Sequence, residues 1–567
     1  MASVSSTSSA TVSTSQTSSS VARSGLTADD VVTAKVQPLL DQIDTINDEI
    51  SSNETKIAAY EDMQALLQNI ANAVDALRNP SDQSTDVFNK RSATLTSSGS
   101  TAAADLMSVS VDAGTATGKH QVVVSQVATA ERVSSDSQSS RSDALGLSGS
   151  FTIGEAGKTA VTIAVDSDDS LDDIVSAINK QTSTTGVTAS VIAVSTDSSN
   201  PQYKLVLTAS DTNQAIEMTT TDGSVLGDLG VTGSDGSTAA NVLQAAQPAI
   251  LTVDGISGIE RDTNQIDDVI DGVTLDLTEA DPDSTVTINI ANNTSDVESA
   301  IEDLVTAYNS WREFVAENQK TNSDGTASSD ATLFGDSTLR GLSLSVDSAL
   351  NSFIGSTSLG SIGLTLNSDN ELEVDSDALE TALDSDFASV EALFEYQIST
   401  SSTDLTAISH NSSTYAGTIT LDVTTDDDGN VTGVSGTDAS GNAVDFTYSG
   451  NTIKGASGSL YAGMVFQWSG AASETVTITT TNGIASQLYA LTSDAADTST
   501  GSVQSVINNL QEQDDTMTAR VASLQTRADN YATFLLDQYG KLEASISQAN
   551  QTADILKQLM EYDTSGS

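Results

Sequence analysis

Apolar residues recur at alternating spacings of three and four near the front of the chain, at Val36, Leu39, Ile43, Ile46, Ile50, Asn53, Ile57, Tyr60, Gln64, Leu67, Ala71 and Val74. Ten of these twelve are apolar, which is the seam of a coiled coil. Near the back the same spacing passes through Ile507, Leu510, Asp514, Met517, Val521, Leu524, Ala528, Tyr531, Leu535, Gln538 and Leu542, with Leu556 and Leu559 further on. The positions expected at the heart of the contact are Leu39, Ile43, Ile46, Ile50, Ile57, Leu510, Met517, Leu524, Tyr531 and Leu535. Each seam is longer than an ordinary globular helix needs. The pattern predicts terminal helices that fold back on each other as a stalk and carry the middle of the chain as a head. Two amphipathic helices in a compact bundle would show the same periodicity.

Between the seams the period changes from that of a helix to that of a strand. Thr27 is placed to cap the first helix ahead of Asp29 and Asp30, Pro38 is a point where it kinks or restarts, and Asn79-Pro80-Ser81 ends it. Residues 81–105 read as a passage from helix to loop. Alternation then begins at Met107, Val109 and Val111 and resumes over 121–127. Phe151–Ile153 and Val161–Val165 predict a hairpin. Ser170 caps a short helix whose Leu171, Ile174, Val175 and Ile178 share a face. Strands follow at 187–192 and 203–208, then a β-rich stretch with segments at 249–255, 273–277 and 286–290. A helix then carries Val297, Ile301, Leu304, Val305 and Tyr308, with helical segments near 337–353 and 376–395 on either side of a hairpin over 363–374. Residues 398–483 return to β pattern, with strands such as 418–423 and 474–480.

Composition narrows the function classes. A chain of 567 residues has room for several cores. It holds no cysteine, so neither disulfides nor thiolate metal sites support it. With 78 acidic and 21 basic residues the formal charge is −57. Nucleic acid and anionic membrane surfaces would repel such a chain. No apolar run is long enough to insert in a membrane. Of the first twenty residues, fourteen are Ser or Thr. That opening predicts a disordered tail and no cleaved secretory signal.

Candidate chemistry is sparse. His120 and His410 are the two histidines. Neither sits in a carboxylate–nucleophile pattern, and His120, beside Lys119 at a strand start, reads as a surface residue. Gly154-Glu-Ala-Gly157-Lys158-Thr159 ends like a phosphate-binding loop. It has too few residues between its glycines and lies between two strands, so it reads as a hairpin turn. Asp426–Asp428 reads as a solvated acidic turn in preference to a cation site. No catalytic, cofactor or metal constellation emerges.

One set of segments carries a resemblance. Ser24-Gly25-Leu26-Thr27 leads into the first seam, and Ala249–Gly255 precedes Asn264–Leu275. Thr285-Val-Thr-Ile, Leu304-Val-Thr-Ala-Tyr308-Asn309, Phe334–Arg340 and Gly483–Leu488 then follow in order. In that order and spacing the chain resembles the flagellar filament-capping family, hook-associated protein 2, over about 25–397 and 483–562. The resemblance implies an α+β multidomain protein in which a terminal coiled-coil leg brackets β-rich head domains. It implies a homo-oligomeric ring at the distal filament end, extracellular at the flagellum tip, that helps flagellin fold and insert. It implies contact with flagellin and hook-associated junction proteins. Export would use the flagellar type III system, with a cytoplasmic export chaperone.

The expected divisions are a tail over 1–24, a helical leg over 25–105, connecting strands over 106–149 and an α+β head over 150–245. A second head over 246–397, a β-rich insertion over 398–483, the C-terminal leg over 484–562 and a tail over 563–567 complete the chain. The insertion and the long Ser/Thr tail depart from the family pattern. A flagellin-like or hook–filament junction subunit, or a secreted adhesin with an acidic β head, are the competing readings.

Overall fold

A computed structural model describes residues 28–79, 85–195, 197, 199–410 and 415–564, with side chains through residue 560. Thr27, Pro80, Ser81 and both terminal tails as far as 27 and from 565 lie outside the described residues. The chain divides into two units. One is built from the two chain ends, residues up to 82 and from 297 onward, and the other from residues 83–296.

In the first unit the N-terminal stalk helix, Ala28–Asp75, runs for 48 residues. It passes through Pro38 without a break, although Pro38 removes a backbone donor. Val36 and Leu40 on either side are buried in the stalk cluster, which holds the helix across the missing bond. The C-terminal stalk helix, Ser502–Thr564, runs for 63 residues and packs along the first. Asn53 Nδ2 donates to Asp514 Oδ1 at 2.8 Å and Gln64 Nε2 reaches Gln504 Oε1 at 3.4 Å. The two helices are therefore antiparallel, pairing positions whose numbers add to about 567. Val32, Val36, Leu40, Ile43 and Ile46 close one side of the shared cluster, and Leu524, Ala528 and Ala532 the other.

Helices Ile484–Ala496, Thr294–Gln319 and Ser337–Leu350 extend this unit. On the second of these, Val297, Ile301, Leu304, Tyr308, Trp311 and Val315 are buried at helical spacing. The single segment expected near 376–395 is two helices, Ser376–Ser385 and Phe387–Phe394. Asp386 divides them, because its carboxylate accepts the Ser389 N–H and so opens a new helix.

Residues from Tyr396 to Asn482 supply two four-stranded antiparallel sheets. One is ordered Tyr396–Thr400, Glu474–Asn482, Gly417–Thr425, Val431–Asp438. The other is ordered Leu405–Ser409, Val465–Trp468, Thr452–Gly455, Phe446–Ser449. Their inward residues, including Tyr396, Ile419, Leu421, Phe466, Trp468 and Ile478, form one core.

The second unit holds two cores. A five-stranded sheet, Arg91–Ser97, Val286–Asn292, Gly118–Gln126, Ala249–Val253 and Ile256–Arg261, shares one with a three-stranded sheet centred on Val273–Leu277. The strand Arg91–Ser97 corrects the loop expected over 81–105: Ala93 and Leu95 give it a weak alternation, and they pack on that core. The other core lies between the sheets centred on Gln202–Ala209 and Gly149–Glu155 and the helix Leu171–Asn179. Ser170 caps that helix by a capping box with Asp173, and Leu171, Ile174 and Ile178 are buried.

Candidate functional site

The stalk is the largest construction of terminal sequence, and its seam can be followed residue by residue. Ile43, Ile46 and Leu524 are buried, while Leu39, Ile50, Met517 and Leu535 sit half-buried against them. Ile57 and Leu510 are half-buried in the middle of the stalk. Tyr531 stands outside the contact at 40% exposure, and the neighbouring Ala532 takes the buried position. The heptad count from Ala528 selects Tyr531; a four-residue step selects Ala532, whose small side chain lets the helices approach. Leu542, Ile546, Ile555, Leu556, Leu559 and Met560 lie beyond the partner of Ala28 and are exposed, Met560 at 69%.

At its other end the stalk is held by polar contacts. Tyr60 Oη donates to Asp336 Oδ2 at 2.6 Å, and Asp336 Oδ1 accepts the Leu339 N–H at the start of helix Ser337–Leu350. Burial and the Asp336 carboxylate push the Tyr60 phenol above its ordinary pKa. Arg78 pairs with Asp75 at 2.6 Å and lies 3.9 Å from the ring centre of Tyr489. Gln64 Nε2 also donates to the Ala496 carbonyl at 3.0 Å.

Several described segments behind the resemblance are places where elements are fastened. Tyr308 Oη donates to the Asn370 carbonyl at 2.9 Å, and burial raises its pKa. Asn309 clasps Leu372 from both sides, accepting its N–H and donating to its carbonyl. Together they hold the hairpin of Leu364–Leu366 and Leu372–Val374 on helix Thr294–Gln319. Asn264 clasps Ala128 in the same two-handed way. Asp254, at φ 48°, and Gly255, at φ 85°, make the turn between two strands. Gly483 lies so close to Phe394 that a Cβ would fall 2.2 Å from its carbonyl carbon.

The remaining candidates fall into structural roles. His120 Nδ1 meets Asp254 Oδ2 at 2.7 Å, a carboxylate partner the sequence did not disclose because 134 residues separate them. The Gln121 N–H and His120 hold the Asp254 carboxyl below its usual range. The phosphate-loop look-alike is a hairpin turn. Its Lys158 pairs with Asp211 at 2.7 Å, and its Glu155, with a side chain 0% exposed, accepts the Ser210 and Asp211 N–H groups. Burial, then the Asp211 charge, pushes the Glu155 carboxyl up. Asp426 Oδ1 accepts the N–H groups of Asp428 and Asn430, closing its acidic turn on itself. Among the described residues no group of three or more His, Asp or Glu could hold a metal ion, and no helix is long and apolar enough to cross a membrane.

Family comparisons agree with the order of these segments. The model for the N-terminus of flagellar hook-associated protein 2 matches residues 24–131, and that for its C-terminus matches 246–551. Between them, a flagellin hook IN motif matches 150–211. Flagellar hook-associated protein 2 of Escherichia coli is 31% identical over 366 residues, 61% of this chain and 74% of the relative. The B-type protein of Pseudomonas aeruginosa is 28% identical over 313 residues, 51% of this chain and 64% of the relative. A solved Escherichia coli structure, described as D1-D2-D3 domains of the flagellar cap protein FliD, aligns at 28% identity with a TM-score of 0.46. It covers 59% of this chain and 90% of its own. With a C-terminal family match over more than half its length, reaching from residue 246 into the C-terminal stalk helix, the chain belongs to the flagellar hook-associated protein 2 family.

Proposed function

We propose that this protein caps the distal end of a bacterial flagellar filament as a homo-oligomeric ring, and that it promotes flagellin folding and insertion there. The observation that carries the reading is the family match running through the stalk, residues 246–551, on a chain whose best-fastened polar positions serve architecture. The seam residues from Leu39 to Ile57 and from Leu510 to Leu535 act as the leg contact. The exposed apolar face from Leu542 to Met560 suits helical partners: flagellin or a hook-associated junction protein at the filament, and an export chaperone before secretion. A chain without cysteine suits passage in an unfolded state through the flagellar type III channel. The divisions of leg, heads and the 398–483 insertion follow the same reading.

Deletion of the gene tests it. Cells lacking the protein should release unpolymerised flagellin into the medium, and normal-length filaments in that strain would overturn the proposal. Electron microscopy of the purified protein should show small closed rings, whereas long filaments would favour a flagellin-like subunit.

A further inference from the structure

The stalk helices come from opposite ends of the chain, and the residues that meet at its middle are 461 positions apart. Such a pairing has a register problem, because a seam of repeating apolar residues can slide by one heptad and still bury an apolar stripe. The middle of this seam is where sliding is least resisted by packing. No residue of the N-terminal helix is buried between Ile46 and Tyr60, and none of the C-terminal helix between Ile507 and Leu524. In that stretch the apolar seam positions are only half-buried, and its polar positions, Asn53 and Asp514, are joined across the helices at 2.8 Å in a part-buried hydrogen bond.

We infer that the Asn53–Asp514 pair is a register lock for the stalk. In the observed register the carboxylate has its donor. Sliding one way by a heptad carries Asp514 opposite Tyr60 and Asn53 opposite Val521; sliding the other way carries Asp514 opposite Ile46 and Asn53 opposite Ile507. In the first slide, rungs such as Leu39 with Leu535, Ile46 with Ala528 and Ile50 with Leu524 remain apolar. The polar pair adds discrimination in both slides: in the second the carboxylate is stranded against the apolar Ile46, and in the first it meets Tyr60, whose hydroxyl is already donated to Asp336. A single polar rung setting register at some expense of stability is a known use of such residues in coiled coils.

Full-length protein lacking native cysteines permits a direct test by disulfide capture after refolding from denaturant. A heptad slide displaces the helices by roughly 10 Å, more than a disulfide can span. Ile46→Cys with Val521→Cys reports the native register, and Ile46→Cys with Ala528→Cys reports a slid one. With the pair intact the first should cross-link and the second only in trace. In the Asn53→Leu/Asp514→Leu background the slid cross-link should rise about tenfold or more, which corresponds to a loss of about 1.4 kcal/mol of discrimination, with the melting temperature unchanged or higher. Asp514→Asn, which keeps a hydrogen-bonding partner, should retain the native cross-link alone. Native cross-linking alone in the double leucine variant, equal capture of both registers with the pair intact, or loss of helicity on apolar replacement would each overturn the lock.

Discussion

Leu524→Asp separates the stalk from everything else in the molecule. Leu524 is 5% exposed and packs in a cluster with Ile43, Ile46 and Ala528. Truncating such a leucine costs about 3 kcal/mol, in the lower half of the usual range because a two-helix seam is open on its flanks. An unpaired carboxylate in its place adds about 2 kcal/mol of desolvation. About 5 kcal/mol is comparable with the whole stability of a small unit. It should therefore release the pairing of 32–46 with 524–539. The sheets of residues 83–296 have their own cores and should stay folded. Hydrogen exchange read by mass spectrometry would show protection lost in those two helical stretches alone, with helical signal melting earlier by circular dichroism. The control lies seven residues on. Tyr531→Asp, at an exposed position, should change stability by about 0.5 kcal/mol or less, while Ala532→Asp, 3% exposed, should behave like Leu524→Asp. Equal damage from Tyr531→Asp, or unchanged protection after Leu524→Asp, would refute the seam as described.

Asp336→Ala removes both the acceptor for Tyr60 and the cap of helix Ser337–Leu350. It should lower the stability of the first unit by about 2–3 kcal/mol, read as a lower denaturation midpoint at an unchanged slope; a loss below about 0.5 kcal/mol would show that the contact is idle. Replacing residues 398–482 by a short Gly/Ser linker should leave rings and filament growth intact, since the segment leaves and rejoins the chain at paired strands; failure to form rings would place it in the assembly contact. Acid should loosen the turn at Asp235. Its carboxyl is held at about 2, first by the Thr238 hydroxyl and then by the Ser237 and Thr238 N–H groups. A depressed folded value means the stabilisation is complete above the ordinary value of 3.8 and fades as pH falls towards about 2. Amide exchange at Ser237 and Thr238 should respond over that window, and Asp235→Asn should abolish the response.

Legibility in the sequence followed the range of the interaction that decides each element. The stalk helices, the helix capped at Ser170 and the hairpin of Phe151 and Ile163 rest on neighbours in sequence, so period and capping disclosed them. Arg91–Ser97 was not legible as a strand. Its alternation is carried by Ala93 and Leu95, and its pairing partner lies near residue 290. His120 met a carboxylate for the same reason of distance, through a turn that brings Asp254 back beside it. Along the paired stretch packing departs from the heptad count where Leu40 is buried beside a half-buried Leu39, and where a small residue beside an aromatic one takes the contact, Ala532 in place of Tyr531. Periodicity counts positions, while packing also weighs volume.

The two sheets of residues 396–482 leave and rejoin the helices on either side at a single neck. The first and last strands, Tyr396–Thr400 and Glu474–Asn482, are direct antiparallel neighbours, with Tyr396 opposite Asn482. Gly483 donates its N–H to the Glu395 carbonyl at 2.8 Å, continuing that ladder into the start of helix Ile484–Ala496. The chain therefore departs and returns through one pair of touching backbones, so closing the gap between its ends adds little loop entropy. The absence of a side chain at Gly483 permits this closeness, because any Cβ would collide with the Phe394 backbone. Beyond the neck the strands can bury Trp468, Phe466 and Tyr396 in a core of their own. A neck fixed by one glycine and one strand pair leaves the sheets beyond it free to change in sequence while helices Phe387–Phe394 and Ile484–Ala496 keep their packing.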